Sequence, residues 1–279
     1  MTLSVSPQRA WIAEQLDELH VHGDVALEGA DPEGVHQLRV AVRRIRAVLK
    51  ASTFDDGGVL LTELRWFFGE LGPLRDLDVL MDRFLGDTDG FSADEISAFE
   101  RLLKGLRAER GVARGRVTRT LRGERYAKLK ETLATVEVTP RADADSGLVA
   151  EIVKPYRKLR KGVDAAGPDP ADEVLHELRI RGKRLRYAAE LAAPAGGKQV
   201  KRLVRATKQL QDILGEHQDA CVAEEKVRSL VAEDPQFGAA EAFVAGRLVE
   251  RERARQAASR AEWYEAFLEV DRAATELLR

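Results

Sequence analysis

Eleven residues recur 140 positions apart, and both copies are dense in groups that bind oxyanions. His36 to Arg46 and His176 to Arg186 share the pattern His-x-Leu-Arg-(Val/Ile)-x-x-(Arg/Lys)-Arg-(Ile/Leu)-Arg. A guanidinium presents two parallel N–H donors to an oxyanion, and an ammonium acts as a point charge. An imidazole can donate to the same kind of oxygen and gains charge near neutral pH. The whole chain has 45 Lys and Arg against 47 Asp and Glu, for a formal net charge of −2. Such local concentration is therefore not a reflection of a generally basic protein, and a polyanion is the expected partner.

Placing the first copy on a helix at about 100° per residue separates two faces. Val35, Leu38, Val42, Ile45 and Leu49 make one apolar arc. His36, Arg39, Arg43, Arg46 and Lys50 form a stripe beside it, with Val40 and Ala47 beyond. In the second copy His176, Arg179, Lys183 and Arg186 run between Leu175, Leu178 and Leu185 on one side and Ile180 and Tyr187 on the other. Apolar residues on both flanks predict a stripe that lines a crevice, its outer edge packed on another element. Arg44 and Arg184 point away from the stripe and are expected to serve structure by pairing with acids.

A second repeated set lies at a spacing of 143. Arg65, Leu71, Gly72 and Asp76 match Lys208, Leu214, Gly215 and Asp219. Glycine within a helix costs about 1 kcal/mol relative to alanine, so its recurrence predicts a close helix approach. Lys201 and Arg205 extend the basic side in the second half. Arg75 has Gln218 as its counterpart in the repeat, so that charge is not duplicated. Asp76 and Asp219 are candidate partners for the arginines. His217 lies in the same segment but matches Leu74, which makes it a less certain site residue; His20 and His22 read as solvent-exposed.

The elements that must hold these residues are helices, since apolar positions recur with helical spacing and no alternating strand stands out. In the first half helices are predicted from about Pro7 to Gly29, Asp31 to Ser52, Gly58 to Phe84 and Ser92 to Arg122, with a short addition at Glu124–Val136. Asp31-Pro32 reads as a cap followed by a first-turn proline, and Ser92 with Glu95 as a capping box. In the second half the spans are Leu148 to Val163, Asp169 to before Pro194, Lys198 to Ala232 and Pro235 to Leu278. Helices with one apolar stripe must bury it against each other, which predicts an all-α fold of two four-helix bundles, 1–137 and 148–279, joined by a linker at 138–147.

Composition narrows the chemistry further. One cysteine, Cys221, excludes an intramolecular disulfide and a thiolate-rich metal site and fits a reducing, cytoplasmic setting. No apolar run approaches the roughly 18–20 residues of a membrane span, and no secretory signal is expected at the amino terminus. Neither a Gly-x-x-x-x-Gly-Lys-(Ser/Thr) loop nor a strand-borne Glu-x-Glu-x-Lys occurs, and Asp76 with Asp78 is only a weak metal hint. No cofactor, resident metal or catalytic residue is expected.

The paired His-x-Leu-Arg motifs, the segment Leu71-Gly72-Pro73-Leu74-Arg75-Asp76-Leu77-Asp78 and the segment Leu214-Gly215-Glu216-His217-Gln218-Asp219 resemble the CHAD domain family over nearly the whole chain. That resemblance implies two four-helix bundles related by a pseudo-two-fold axis, with basic residues around a central groove. It also implies binding of inorganic polyphosphate and association with polyphosphate granules. The first helices differ: Lys154, Arg157, Lys158, Arg160 and Lys161 crowd the second half, whereas Asp17 and Glu18 occupy matching places in the first. Only Arg157 and Lys161 are therefore added as binding candidates. Nucleic acid is the less favoured polyanion, because no aromatics for stacking bases interleave with the stripe. A helical scaffold for an acidic partner and a metal-dependent phosphohydrolase remain the alternatives.

Overall fold

The computed structural model describes residues 7–29, 31–50, 52–54, 58–140, 148–193, 197–234 and 237–278. It divides into two compact units, Met1–Ala144 and Asp145–Arg279. Among the described residues the first unit contains α1 (Pro7–Glu28), α2 (Glu33–Lys50), β1 (Ser52–Thr53), α3 (Val59–Leu85), α4 (Ala93–Leu121), α5 (Glu124–Thr135) and β2 (Thr139–Pro140). The second contains α6 (Leu148–Ala166), α7 (Asp172–Ala192), α8 (Gly197–Glu233) and α9 (Ala239–Leu277). The fold is all-α, and the two-residue strands form a single antiparallel clip in which Ser52 faces Pro140 and Thr53 faces Thr139.

Local chemistry sets the helix starts. Asp31 Oδ1 accepts the Glu33 N–H at 2.8 Å, which caps α2 as its sequence predicts. Ser92 and Glu95 make the reciprocal capping box of α4. The start of α7 differs from expectation. Ala171 takes the cap position without a side-chain bond, and α7 begins at Asp172. Asp169 and Asp172 instead hold Arg260 from α9, whose guanidinium also donates to the Pro170 carbonyl at 2.7 Å.

The first core gathers the apolar stripes of α1, α2 and α3, among them Leu19, Leu38, Ile45, Leu64, Phe67 and Leu71. The short α5 is a full member of it, burying Tyr126, Leu129 and Leu133. Tyr126 stacks on Phe67 with ring centroids 4.6 Å apart and donates to the Leu19 carbonyl at 3.2 Å. Val138 is also buried there, so this packing extends past the end of α5, into the stretch read as linker; residues 141–147 lie outside the described ones. The second core is built from α6, α7, α8 and the carboxyl-terminal half of α9, with Leu159, Leu178, Leu185, Leu214, Trp263 and Phe267. Among the described residues no helix is long and apolar enough to cross a membrane.

Phe67 is fully buried and ties α3 to α5. Phe67→Ala is expected to lower the unfolding free energy by about 3–5 kcal/mol in urea denaturation. A loss below about 1 kcal/mol would show that α5 does not share this core.

Candidate anion-binding site

In α2 the expected apolar arc, Val35, Leu38, Val42, Ile45 and Leu49, is buried, joined by Ala41. The stripe beside it emerges gradually: His36, Arg39 and Arg46 are half-buried, and Arg43 and Lys50 are exposed. In α7 His176, Arg179, Lys183 and Arg186 are all half-buried next to Leu175, Leu178 and Leu185. On the outer apolar edge Val40 is half-buried, while Ala47, Ile180 and Tyr187 are exposed, with Tyr187 retaining 51% of its surface.

Arg39 is the most constrained member. Its guanidinium lies 4.0 Å from the Phe68 ring centroid, and Nη1 donates to the Phe68 carbonyl at 3.3 Å. A Cβ on Gly72 would come within 3.2 Å of that same Nη1. Gly72 therefore makes room for an arginine rather than for a helix backbone, and Gly215 has ordinary spacing to Arg179 Nε at 3.8 Å. The tight approach falls instead at Gly182, where a Cβ would meet Gln211 Nε2 at 2.5 Å. Gln211 occupies the position of Phe68 in the repeat and donates to the Arg179 carbonyl at 3.1 Å. The replacement of Val42 by Gly182 is thus matched by an amide in place of a ring.

The two histidines are held differently. Burial, and after it the Arg75 charge, pushes the His36 pKa below its ordinary value, with Arg43 and Arg39 acting in the same direction and Glu33 opposing. His176 instead pairs its Nδ1 with Gln218 Oε1 at 2.6 Å, leaving Nε2 for another partner. Arg75 and Gln218, equivalent in the repeat, thus set the two rings apart. Burial lowers the Arg39 pKa while Asp76 supports its charge; burial raises Asp76, against the pull of Arg39 and Arg75.

The acidic complement is small. Among the described residues Arg43, Arg46, Lys50, Arg65, Arg157, Lys161, Arg179, Lys201, Arg205 and Lys208 take part in no ion pair. Arg46 Nε and Arg179 Nε are buried without a hydrogen-bond partner. Arg186 is the exception, 2.9 Å from Glu190 in its own helix. Several arginines elsewhere are paired, among them Arg110 with Asp78 at 2.6 Å, Arg116 with Glu70 at 2.7 Å, and Arg125 with Glu63 at 2.6 Å.

Several expectations need correction. Arg44 and Arg184 are exposed and pair with no acid among the described residues; Arg44 reaches only Gln15 Oε1, at 3.4 Å. Asp78 is buried against Arg110 and does not join the exposed Asp76 in a metal site, since residues two apart leave a helix on different sides. His217 is not at the stripe surface but 1% exposed, with Nε2 3.2 Å from Asp172 Oδ1. Lys201, Arg205 and Lys208 are exposed on α8, as Arg65 is on α3 and Arg157 and Lys161 are on α6. Phe68 and Gln211 escaped the sequence reading, although the 143-residue spacing pairs them; Gln218 was read only as the uncharged counterpart of Arg75, not as the partner of His176.

Replacing Arg75 by the residue at its counterpart position isolates its effect. In an NMR titration of the imidazole protons, Arg75→Gln is expected to move the His36 pKa upward, toward the ordinary histidine value. An unchanged pKa would mean that the Arg75 charge does not contribute to the downward shift.

Comparison with known proteins places this geometry. The CHAD domain profile matches residues 10–228. Two Mycobacterium tuberculosis proteins, Rv2226 and MT2285, are each 33% identical over 235 residues, covering 78% of this chain. The chain spans less than half the length of these relatives, 44% of each. Among solved structures, the CHAD domain from the plant Ricinus communis superposes with a TM-score of 0.66 at 26% identity, covering 92% of this chain and 90% of that one. PptA from Streptomyces chartreusis gives 0.66 at 22% identity, covering 94% and 98%, a likeness of fold. With matched motifs in both halves and an all-α architecture shared with a solved CHAD domain, the chain belongs to the CHAD domain family.

Proposed function

We propose that this protein binds inorganic polyphosphate non-catalytically through the basic stripes of its two units. The observation that carries the reading is the half-buried charge of the stripes. Arg46 and Arg179 have no acidic partner among the described residues and their Nε atoms are buried without a hydrogen bond, whereas Arg110, Arg116 and Arg125 each meet a carboxylate. Holding unpaired cations beside an apolar core is unfavourable, and a chain of phosphates relieves both the desolvation and the mutual repulsion. Guanidinium groups spaced along one helix face suit a linear anion with charge at every unit better than a single small phosphate ester. Two stripes in one molecule make affinity grow with chain length, because a second contact on the same chain is intramolecular.

The roles divide by geometry. Arg39, braced on Phe68, gives a fixed pair of donors. Arg43, Lys50, Arg65, Lys201, Arg205 and Lys208 are exposed and supply adjustable charge. His176, oriented by the Gln218 bond to Nδ1, leaves Nε2 to face an anion's oxygen. Arg157 and Lys161 belong to a basic surface on α6 that also includes Lys154 and Lys158. The same account makes docking on polyphosphate granules in the cytoplasm the expected cellular setting. Binding without turnover is supported by the engagement of Asp78 with Arg110, which takes a carboxylate near the stripe out of metal chemistry.

Labelled long-chain polyphosphate displaced at fixed salt by unlabelled polyphosphate, duplex DNA, RNA, ATP or pyrophosphate separates the readings. Polyphosphate is expected to displace at the lowest phosphate concentration; equal displacement by DNA would overturn the assignment. Arg43→Glu combined with Lys183→Glu, at matched stripe positions, is expected to weaken binding by more than about 100-fold, near 2.7 kcal/mol, with the helical circular-dichroism signal retained. Phosphate release in magnesium or manganese is expected to stay at background.

The His36 pKa supplies a pH dependence. The free ring is held below its ordinary value, and a bound polyanion favours the protonated form, so binding takes up a proton. Affinity is therefore expected to rise as pH falls through the histidine range, and His36→Gln to reduce that slope. A slope unchanged in the variant would remove His36 from the site.

A further inference from the structure

The positions at which the two halves differ most in chemistry converge on one place in the second unit. Pro32, Leu74 and Asp78 of the first half are replaced by Asp172, His217 and Cys221 in the second. In the first half Asp78 is consumed by Arg110. In the second, Asp172 opens α7 while His217 and Cys221 lie one turn apart on α8. One ligand atom from each of the three lies within 4.8 Å of the other two. His217 Nδ1 is 3.7 Å from Cys221 Sγ, and Nε2 is 3.2 Å from Asp172 Oδ1. That ring is 1% exposed, and its buried Nε2 makes no well-directed hydrogen bond to Asp172 Oδ1 despite the 3.2 Å separation. A buried imidazole with a thiol on one nitrogen and a poorly aligned carboxylate on the other is the second observation that points to a ligand.

We propose that Asp172, His217 and Cys221 bind a borderline-soft divalent transition-metal ion, with zinc as the best chemical match. Imidazole and thiolate select such ions, whereas magnesium and calcium take all-oxygen shells. Metal–ligand distances of about 2.0–2.3 Å in a tetrahedron put ligand atoms roughly 3.3–3.8 Å apart, so the ion takes one ring nitrogen of His217 and the ligand now facing the other nitrogen closes in from within 4.8 Å. On coordination the Cys221 thiol gives its proton to solvent and binds as thiolate. A carboxylate can serve two partners through its two oxygens, so Asp172 can keep Arg260 while ligating. Three protein ligands leave a fourth position for water or a substrate oxygen. Asp172 and Cys221 line a pocket of about 670 Å³ with Glu173, Glu224 and Glu225, an acidic entry for a cation. His176 lines the same pocket, so the ion would sit beside the basic stripe of this unit.

The test titrates Co²⁺ into the reduced full chain without polyphosphate, so that it stands apart from anion binding. One equivalent is expected to give a thiolate-to-cobalt charge-transfer band that Zn²⁺ abolishes by displacement. Cys221→Ser is expected to remove the band, and His217→Gln or Asp172→Asn to weaken binding by more than about tenfold. His20→Gln, at an exposed position, is expected to match wild type. Because Cys221 is the sole cysteine, Zn²⁺ is also expected to slow alkylation of the wild-type chain by iodoacetamide, a readout independent of whether the variants fold. Absence of the band together with an unchanged alkylation rate would overturn the proposal, as would full affinity in His217→Gln.

Discussion

The structure turns on keeping positive charge next to an apolar core. In α2 the residues that alternate with the stripe, Leu38, Val42 and Ile45, are fully buried, and the helix cannot roll without exposing them. The cations at the neighbouring angles are thereby fixed half in and half out of solvent. Such groups are costly when unpaired and costly again when crowded with like charge. Part of that cost is met internally. Arg39 lies over the Phe68 ring, and Asp76 supports its charge. The rest is not met among the described residues, and under the proposed function a polyanion would meet it.

The two units meet this constraint by different means. The first braces Arg39 with an aromatic ring, while burial and the Arg75 charge lower the His36 pKa. The second substitutes Gln211 and Gln218, which hold the Arg179 carbonyl and the His176 ring by hydrogen bonds. Beneath the stripe, an Asp78–Arg110 ion pair in one unit gives way to His217 and Cys221 in the other. Duplication thus supplied two copies of one charged helix face and left the supporting residues free to diverge.

Much of this was legible in the residues. The apolar arc of α2, the Asp31 cap and the Ser92–Glu95 box follow from local periodicity and side-chain chemistry, which depend on few neighbours. What escaped was set by contacts across the helix pair. Gly72 reads as a close backbone approach but makes space for the Arg39 guanidinium. Arg44 and Arg184 read as salt-bridge formers, yet no acid was brought to them among the described residues. His217 matched a leucine and looked peripheral, whereas burial puts it against Asp172 and Cys221. The start of α7 was also misplaced, because Arg260 arrives from a distant helix to claim the aspartates that would have capped it.

The central claim, that the stripes of α2 and α7 are the polyanion surface, is tested most directly by a footprint. Arginine modification with phenylglyoxal, mapped by peptide mass spectrometry with and without long-chain polyphosphate, reports every guanidinium at once. The expected result is joint protection of Arg39, Arg43, Arg46, Arg179 and Arg186, with exposed Arg101 and Arg122 reacting at unchanged rates. Protection spread evenly over the exposed arginines, or absent from both stripes, would contradict the account.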